Sequence, residues 1–196
     1  MRSAVKPLAC PLAISLACLL FGLLPTSLVD SLQYHRTEIA AGEWWRLITG
    51  HLTHLGWGHL LMNLAGLWLI WGLFPGQYPA HRCIYRPALL MLGASLGLWL
   101  FSPEVVWYKG LSGMLHGLLC WALLRRIRFQ PAPFILILAF LWVKLAWEQW
   151  FGPIPGSESL ASGQVIVDAH LYGAVSGILL WSFELVIFAP KHEDSE

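Results

Sequence analysis

Residues 7–29 run without a single Asp, Glu, Lys or Arg, and about 20 apolar residues are what an α-helix needs to cross the hydrocarbon core of a bilayer. Residues 60–80 and 87–103 are equally free of charge, and shorter uncharged runs follow at 110–124, 129–143 and 169–183. Each shorter run must extend past a charge, or share its depth with water, in order to span. The composition agrees: 57% of the residues are hydrophobic and 12% are charged, against about 25% charged in a soluble domain. The pattern predicts an all-α, polytopic membrane protein built as a bundle of six transmembrane helices, at roughly 7–28, 55–75, 86–102, 111–128, 131–151 and 167–189. One membrane-embedded domain over residues 1–196 suffices. The first run follows Arg2 and Lys6, a start that also fits a signal peptide, but it is long enough to span. Pro131 and Pro133 suit the first turn of the fifth helix, where a missing N–H costs little. The stretch 152–163, rich in Gly, Pro and Ser, reads as a loop.

Charge sets the expected orientation. With a cytoplasmic N-terminus, that side holds Arg2, Lys6, Arg82, Arg86, Arg125, Arg126, Arg128 and Lys191, and the other holds Arg36, Arg46 and Lys109. Cytoplasmic loops carry the excess of Lys and Arg, so the bias predicts the N-terminus inside. The net charge of +1 offers no basic field for nucleic acid. Twelve tryptophans suit a chain with two membrane–water boundaries. Cys10, Cys18, Cys83 and Cys120 form no CxxC, and three of them lie in apolar runs, where they read as small buried residues.

Three constellations could carry chemistry. Gly110-Leu111-Ser112-Gly113 opens the fourth helix. A serine there has unpaired N–H groups and the positive end of a helix dipole beside it, although a plain helix cap uses the same residue type. In the sixth helix, Ala169, Gly173 and Gly177 make a small-residue face with His170 at its edge. Gly113 and Gly117 make a matching face on the fourth helix. If the faces meet, Ser112 and His170 come within hydrogen-bond reach near the outer ends of their helices, and the imidazole can take the serine proton. A histidine that merely bonds at the interface is the other reading. The third set is His51, His54, His59 and Asn63, with His59 and Asn63 one helical turn apart. Both are donors that an oxyanion needs. A metal site or a haem ligand pair is the alternative, but no HExxH is present and Glu43 is the only carboxylate near. No metal or other cofactor is expected. His54 reads as a loop-stabilising hydrogen bonder.

The set Trp45-Arg46, His54, His59, Asn63, Gly110–Gly113 and Ala169–Gly177, in this order, resembles the rhomboid intramembrane proteases. The resemblance covers nearly the whole chain. It implies Ser112 as nucleophile, His170 as the base of a Ser–His dyad, and His59 and Asn63 as oxyanion-hole residues joined by the Ser112 N–H. It also implies that Arg46 and Glu38 sit in a half-embedded loop after the first helix. Many rhomboids carry Tyr four residues after the serine, packed on the histidine; this chain has His116. Within the family, residues 43–52, 107–117 and 168–173 look like the rhombosortases. That subfamily implies substrates with a C-terminal Gly-Gly tail, one membrane helix and a basic end, cleaved in a bacterial inner membrane by a site opening to the periplasm. The rival readings are an inactive rhomboid-like protein that binds membrane helices, and a haem-binding or transport bundle using His59 and His170.

Three further charges need a reading. Asp168 precedes His170 by two, faces another way, and reads as a helix N-cap. Lys144 and Glu148, at i,i+4, read as a mutually neutralising pair. Glu184 lies deep in the sixth helix, and either facing the bundle or snorkelling is open to it.

Overall fold

A computed structural model describes residues 8–74 and 84–187. Cys83 and four of the charges used for orientation, Arg2, Lys6, Arg82 and Lys191, lie outside the described residues, as do the last residues of the helices expected at 55–75 and 167–189.

Helices form where the uncharged runs are. They are α1 (Ala9–Gly22), α2 (Thr26–Leu32), α3 (Arg36–Ala40), α4 (Arg46–Thr49), α5 (Trp57–Leu73), α6 (Tyr85–Phe101), α7 (Ser112–Ile127), α8 (Pro131–Phe151), α9 (Ser157–Ala161) and α10 (Val167–Ile187). A two-stranded antiparallel ladder, β1 (Tyr34–His35) with β2 (Trp107–Tyr108), is the one sheet among the described residues. The first expected helix, 7–28, is two. Pro25 has no N–H to continue the ladder and disfavours helical backbone at the residue before it, so α1 stops at Gly22 and α2 restarts at Thr26. The expected loop 152–163 contains the single turn α9. Pro131 sits in the first turn of α8, as its missing donor allows.

By length and composition, α8 and α10 are able to cross a membrane, while α1, α5 and α6 are apolar but shorter. Burial separates the first two. Only 17% of the apolar window of α8 is buried, and Leu136, Phe140, Val143 and Trp150 all face outward. Water would not tolerate so continuous an apolar flank, but lipid does. At the centre stands α7, against which α10, α8, α6 and α5 pack. Its Met114, Leu118, Cys120, Trp121 and Leu123 are fully enclosed. Cys10 and Cys18 are also buried, as expected for small apolar residues.

Contact between α7 and α10 is made by backbone. A Cβ added at Gly117 would lie 2.5 Å from the Gly173 carbonyl oxygen, and one at Gly113 would lie 2.9 Å from that of Ala169. Reciprocally, Gly173 abuts the Gly113 carbonyl and Gly177 that of Gly117. The two small-residue faces therefore meet as expected, with no side chain between them.

The far end of α7 is held by charge. Glu184 turns into the bundle, which settles the alternative left open by its sequence. Its carboxylate accepts from Arg86 Nε at 2.7 Å and Nη2 at 3.1 Å, from Trp121 Nε1 at 3.2 Å, from Arg125 Nη1 at 3.3 Å and from the Tyr85 hydroxyl. Arg86 also lies over the Trp121 ring, 4.1 Å from its centroid. A buried carboxylate so fully partnered ties α6, α7 and α10 together at one level.

Candidate active site

The segment after α1 builds the platform for Ser112. Tyr34 pairs with Tyr108 across the β1–β2 ladder, and the Gly110 N–H donates to the Gly50 carbonyl at 3.1 Å. Burial pushes the Tyr108 phenol up to about 12, so it stays a donor. It bonds the Gly110 carbonyl and accepts from the Gly113 N–H at 3.2 Å. Gly110 itself has φ +129, and a Cβ there would lie 2.6 Å from His59 Cε1. Only glycine allows both the turn and the approach of that ring. The chain then enters α7, with Ser112 as its first residue.

Around this platform the Arg46 side chain is buried and structural. It pairs with Glu43 at 2.6 Å and donates to the Asp30 and Gln33 carbonyls at 2.8 and 2.9 Å. Glu38 lies in the first turn of α3. His51 is enclosed, with Nε2 3.0 Å from Ser95 Oγ, and burial lowers it to about 4, so it is neutral at ordinary pH. His54 Nδ1 lies 3.2 Å from the Leu52 carbonyl, the loop-holding bond anticipated for it.

Across the glycine seam, Ser112 Oγ and His170 Nε2 are 3.0 Å apart. The opposite wall comes from α5. Leu55 N–H points at His59 Nδ1 at 3.5 Å, which leaves the His59 proton on Nε2, facing the Gly110 backbone. The Asn63 amide nitrogen is buried and has no partner among the described residues, so a donor stands ready beside the same backbone. A cavity of about 290 Å³ is lined by Ser112, His170, His59 and Asn63 among others. It is roomy enough for several waters at about 30 Å³ each. The structure thus brings all four sequence-predicted residues to one cavity.

Three more polar residues line it, Glu148 and Lys144, expected only to neutralise each other, and His116. Glu148 Oε2 is 3.0 Å from His170 Nδ1. Lys144 Nζ bonds the same oxygen at 2.6 Å and His116 Nε2 at 2.7 Å. Lys144 and Glu148 do pair as expected, yet together they also reach both histidines. His116 Nδ1 is 2.8 Å from the Ser112 carbonyl, and its ring stacks on His170 with centroids 4.2 Å apart. His116 therefore covers the imidazole face and is bonded to the serine backbone, not to its hydroxyl. Asp168 is not the cap expected. It is the second residue of α10, and its carboxylate accepts from Ser102 Oγ at 2.5 Å, tying α10 to the end of α6. Charges at membrane depth are costly away from a function, which marks the Glu148–Lys144 pair in the sequence without naming the imidazole it meets.

His116, Glu148 and His170 hold ligand-type atoms within 4.8 Å of one another. The Lys144 ammonium stands among them, 2.6 Å from Glu148 and 2.7 Å from His116. A metal ion would have to displace it, so the residues present fit an ammonium and not a metal. A haem pair using His170 would likewise need the Nε2 that here faces Ser112.

Residues 41–185 match the family model described as a rhomboid domain. The Rhomboid protease GlpG of Salmonella paratyphi A and that of Salmonella newport are each 27% identical to this chain over 143 residues, covering 70% of it and 48% of their own length. The chain thus spans about half the length of the curated relatives it matches.

Proposed function

Because this chain belongs to the rhomboid family of multi-pass membrane proteins, we propose that it is an intramembrane serine endopeptidase, with Ser112 as nucleophile and His170 as general base. The observation that carries this reading is the 3.0 Å approach of Ser112 Oγ to His170 Nε2 in the lining of a cavity of about 290 Å³. His170 takes the hydroxyl proton as Oγ bonds to the peptide carbon, and the carbonyl π pair moves to oxygen. The Ser112 N–H, His59 Nε2–H and Asn63 amide stabilise that oxyanion. The protonated imidazole then gives its proton to the leaving nitrogen as the C–N bond breaks. Water repeats the sequence to release the acyl group from Ser112. The partners are membrane-spanning protein substrates within the lipid bilayer.

Within the family we favour the rhombosortase reading, cleavage at a C-terminal Gly-Gly tail followed by one membrane helix. The resemblance of residues 43–52, 107–117 and 168–173 supports it. Physics supports such a tail as well. A helical carbonyl is already hydrogen-bonded and must be freed before attack, and each glycine makes unwinding easier by about 1 kcal/mol. The orientation we favour has a bacterial inner membrane, the N-terminus in the cytoplasm and the cavity opening to the periplasm. Ser112 begins α7 and Arg125 and Arg126 end it, which puts positive charge on the side away from the cavity.

The test compares wild type with Ser112→Ala and His170→Ala, using a fluorophosphonate probe and a membrane reporter carrying a Gly-Gly tail. Labelling and cleavage should both vanish in the two variants. A Ser112→Ala protein that still cleaves ends the reading, and wild-type cleavage that ignores replacement of Gly-Gly by Leu-Leu ends the tail assignment alone.

A further inference from the structure

We propose that Glu148 is a positioning residue for His170, completing a Ser112–His170–Glu148 array whose strength is set by Lys144. This rests on the assignment of His170 as the base. Five contacts carry it. His170 Nε2 faces Ser112 Oγ at 3.0 Å, which requires a lone pair on Nε2 if the imidazole is to accept the proton. A neutral imidazole with that lone pair carries its proton on Nδ1, and Nδ1 lies 3.0 Å from Glu148 Oε2. The carboxylate therefore fixes the tautomer and the ring plane together. Glu148 is itself held at 2.6 Å by Lys144. Lys144 is anchored in turn by His116 at 2.7 Å, and His116 by the Ser112 carbonyl at 2.8 Å. The chain of bonds begins and ends on the same serine.

The 3.2 Å between Lys144 Nζ and His170 Nδ1 is then an approach of two donors, both directed to one carboxylate oxygen. When His170 accepts the serine proton, Nδ1–H stays where it is and no proton passes to Glu148. Glu148 stabilises the imidazolium, and Lys144 opposes it. The two charges on α8 pull the base strength of one imidazole in opposite directions. Two neutral groups also face it, Ser112 and His116 from α7, and His59 lies across the cavity on α5. The titratable side chains of α6, Tyr85 and Arg86, belong to the distant Glu184 cluster.

Glu148→Gln, Lys144→Met and the double variant separate this from mutual neutralisation. The readouts are the rate of fluorophosphonate labelling, cleavage of the tail reporter, and the pH profile of each, on protein shown to be folded by thermal unfolding in detergent. Glu148→Gln should lower kcat by about 10²-fold, the lower end of what a general base supplies, with KM little changed. Its acid limb should move to lower pH, and that of Lys144→Met to higher pH. The double variant, which leaves no orphan charge, should remain slow. A double variant with wild-type rate and profile overturns the proposal, because the pair would then only neutralise itself. So does a folded Glu148→Gln with an unchanged profile. If Ser112→Ala labels or cleaves in the same assay, the protease reading itself has failed, whatever Glu148 does.

Discussion

At the scale of single residues, the site is a set of paired donors and acceptors with one buried donor left over. The Asn63 amide nitrogen has no partner among the described residues, an expensive state for a buried donor unless something else accepts from it. Asn63→Ala should lower kcat by about 10²–10³ with a smaller effect on KM, as measured by cleavage of the membrane reporter. Thermal unfolding should change less than activity, because the Asn63 amide nitrogen gives up no bond among the described residues. The four residues expected as nucleophile, base and oxyanion donors, which line one cavity, were legible in the sequence as a group, since each sits in a short motif and two such motifs share a depth. Glu148 was not. Its i,i+4 lysine satisfies it locally on paper, and nothing in one helix's sequence says which neighbour's imidazole the pair will meet. His116 was legible as a departure from the family's tyrosine at a position that packs on the histidine, but its hold on Lys144 was not.

At the scale of elements, uncharged runs located the helices and Pro25 decided where the first one breaks. The β1–β2 ladder could not be read in advance, because two-residue strands have no period. The glycine faces were readable because a spacing of four is itself a helix-packing signal, and α7 meets α10 there. The other end of the same helices depends on Glu184. Removing it leaves Arg86 buried beside Trp121 without its carboxylate. Glu184→Ala should therefore cost about 3–5 kcal/mol, read as a lower unfolding midpoint in detergent. Probe labelling of Ser112 in the fraction that remains folded should be unchanged, since the cluster lies at the opposite end of α7.

For the whole molecule, the proposed orientation in the bilayer makes a prediction about which loops reach which side. The inferred orientation puts Glu104 outside and Gln130 inside, and both are exposed residues. In a background without the four native cysteines, Glu104→Cys should react with a membrane-impermeant maleimide in cells with a permeable outer membrane. Gln130→Cys should react only after lysis, and the reverse pattern would invert the topology. One consequence of the seam between α7 and α10 reaches beyond any single assay. Where two main chains touch, there is no larger or smaller side chain to exchange, so the gap between alcohol and imidazole is inherited from the dimensions of the peptide unit itself. Fine adjustment of reactivity has to come from outside that gauge, and α8, leaning in from the lipid with its two charges, is the element free to supply it.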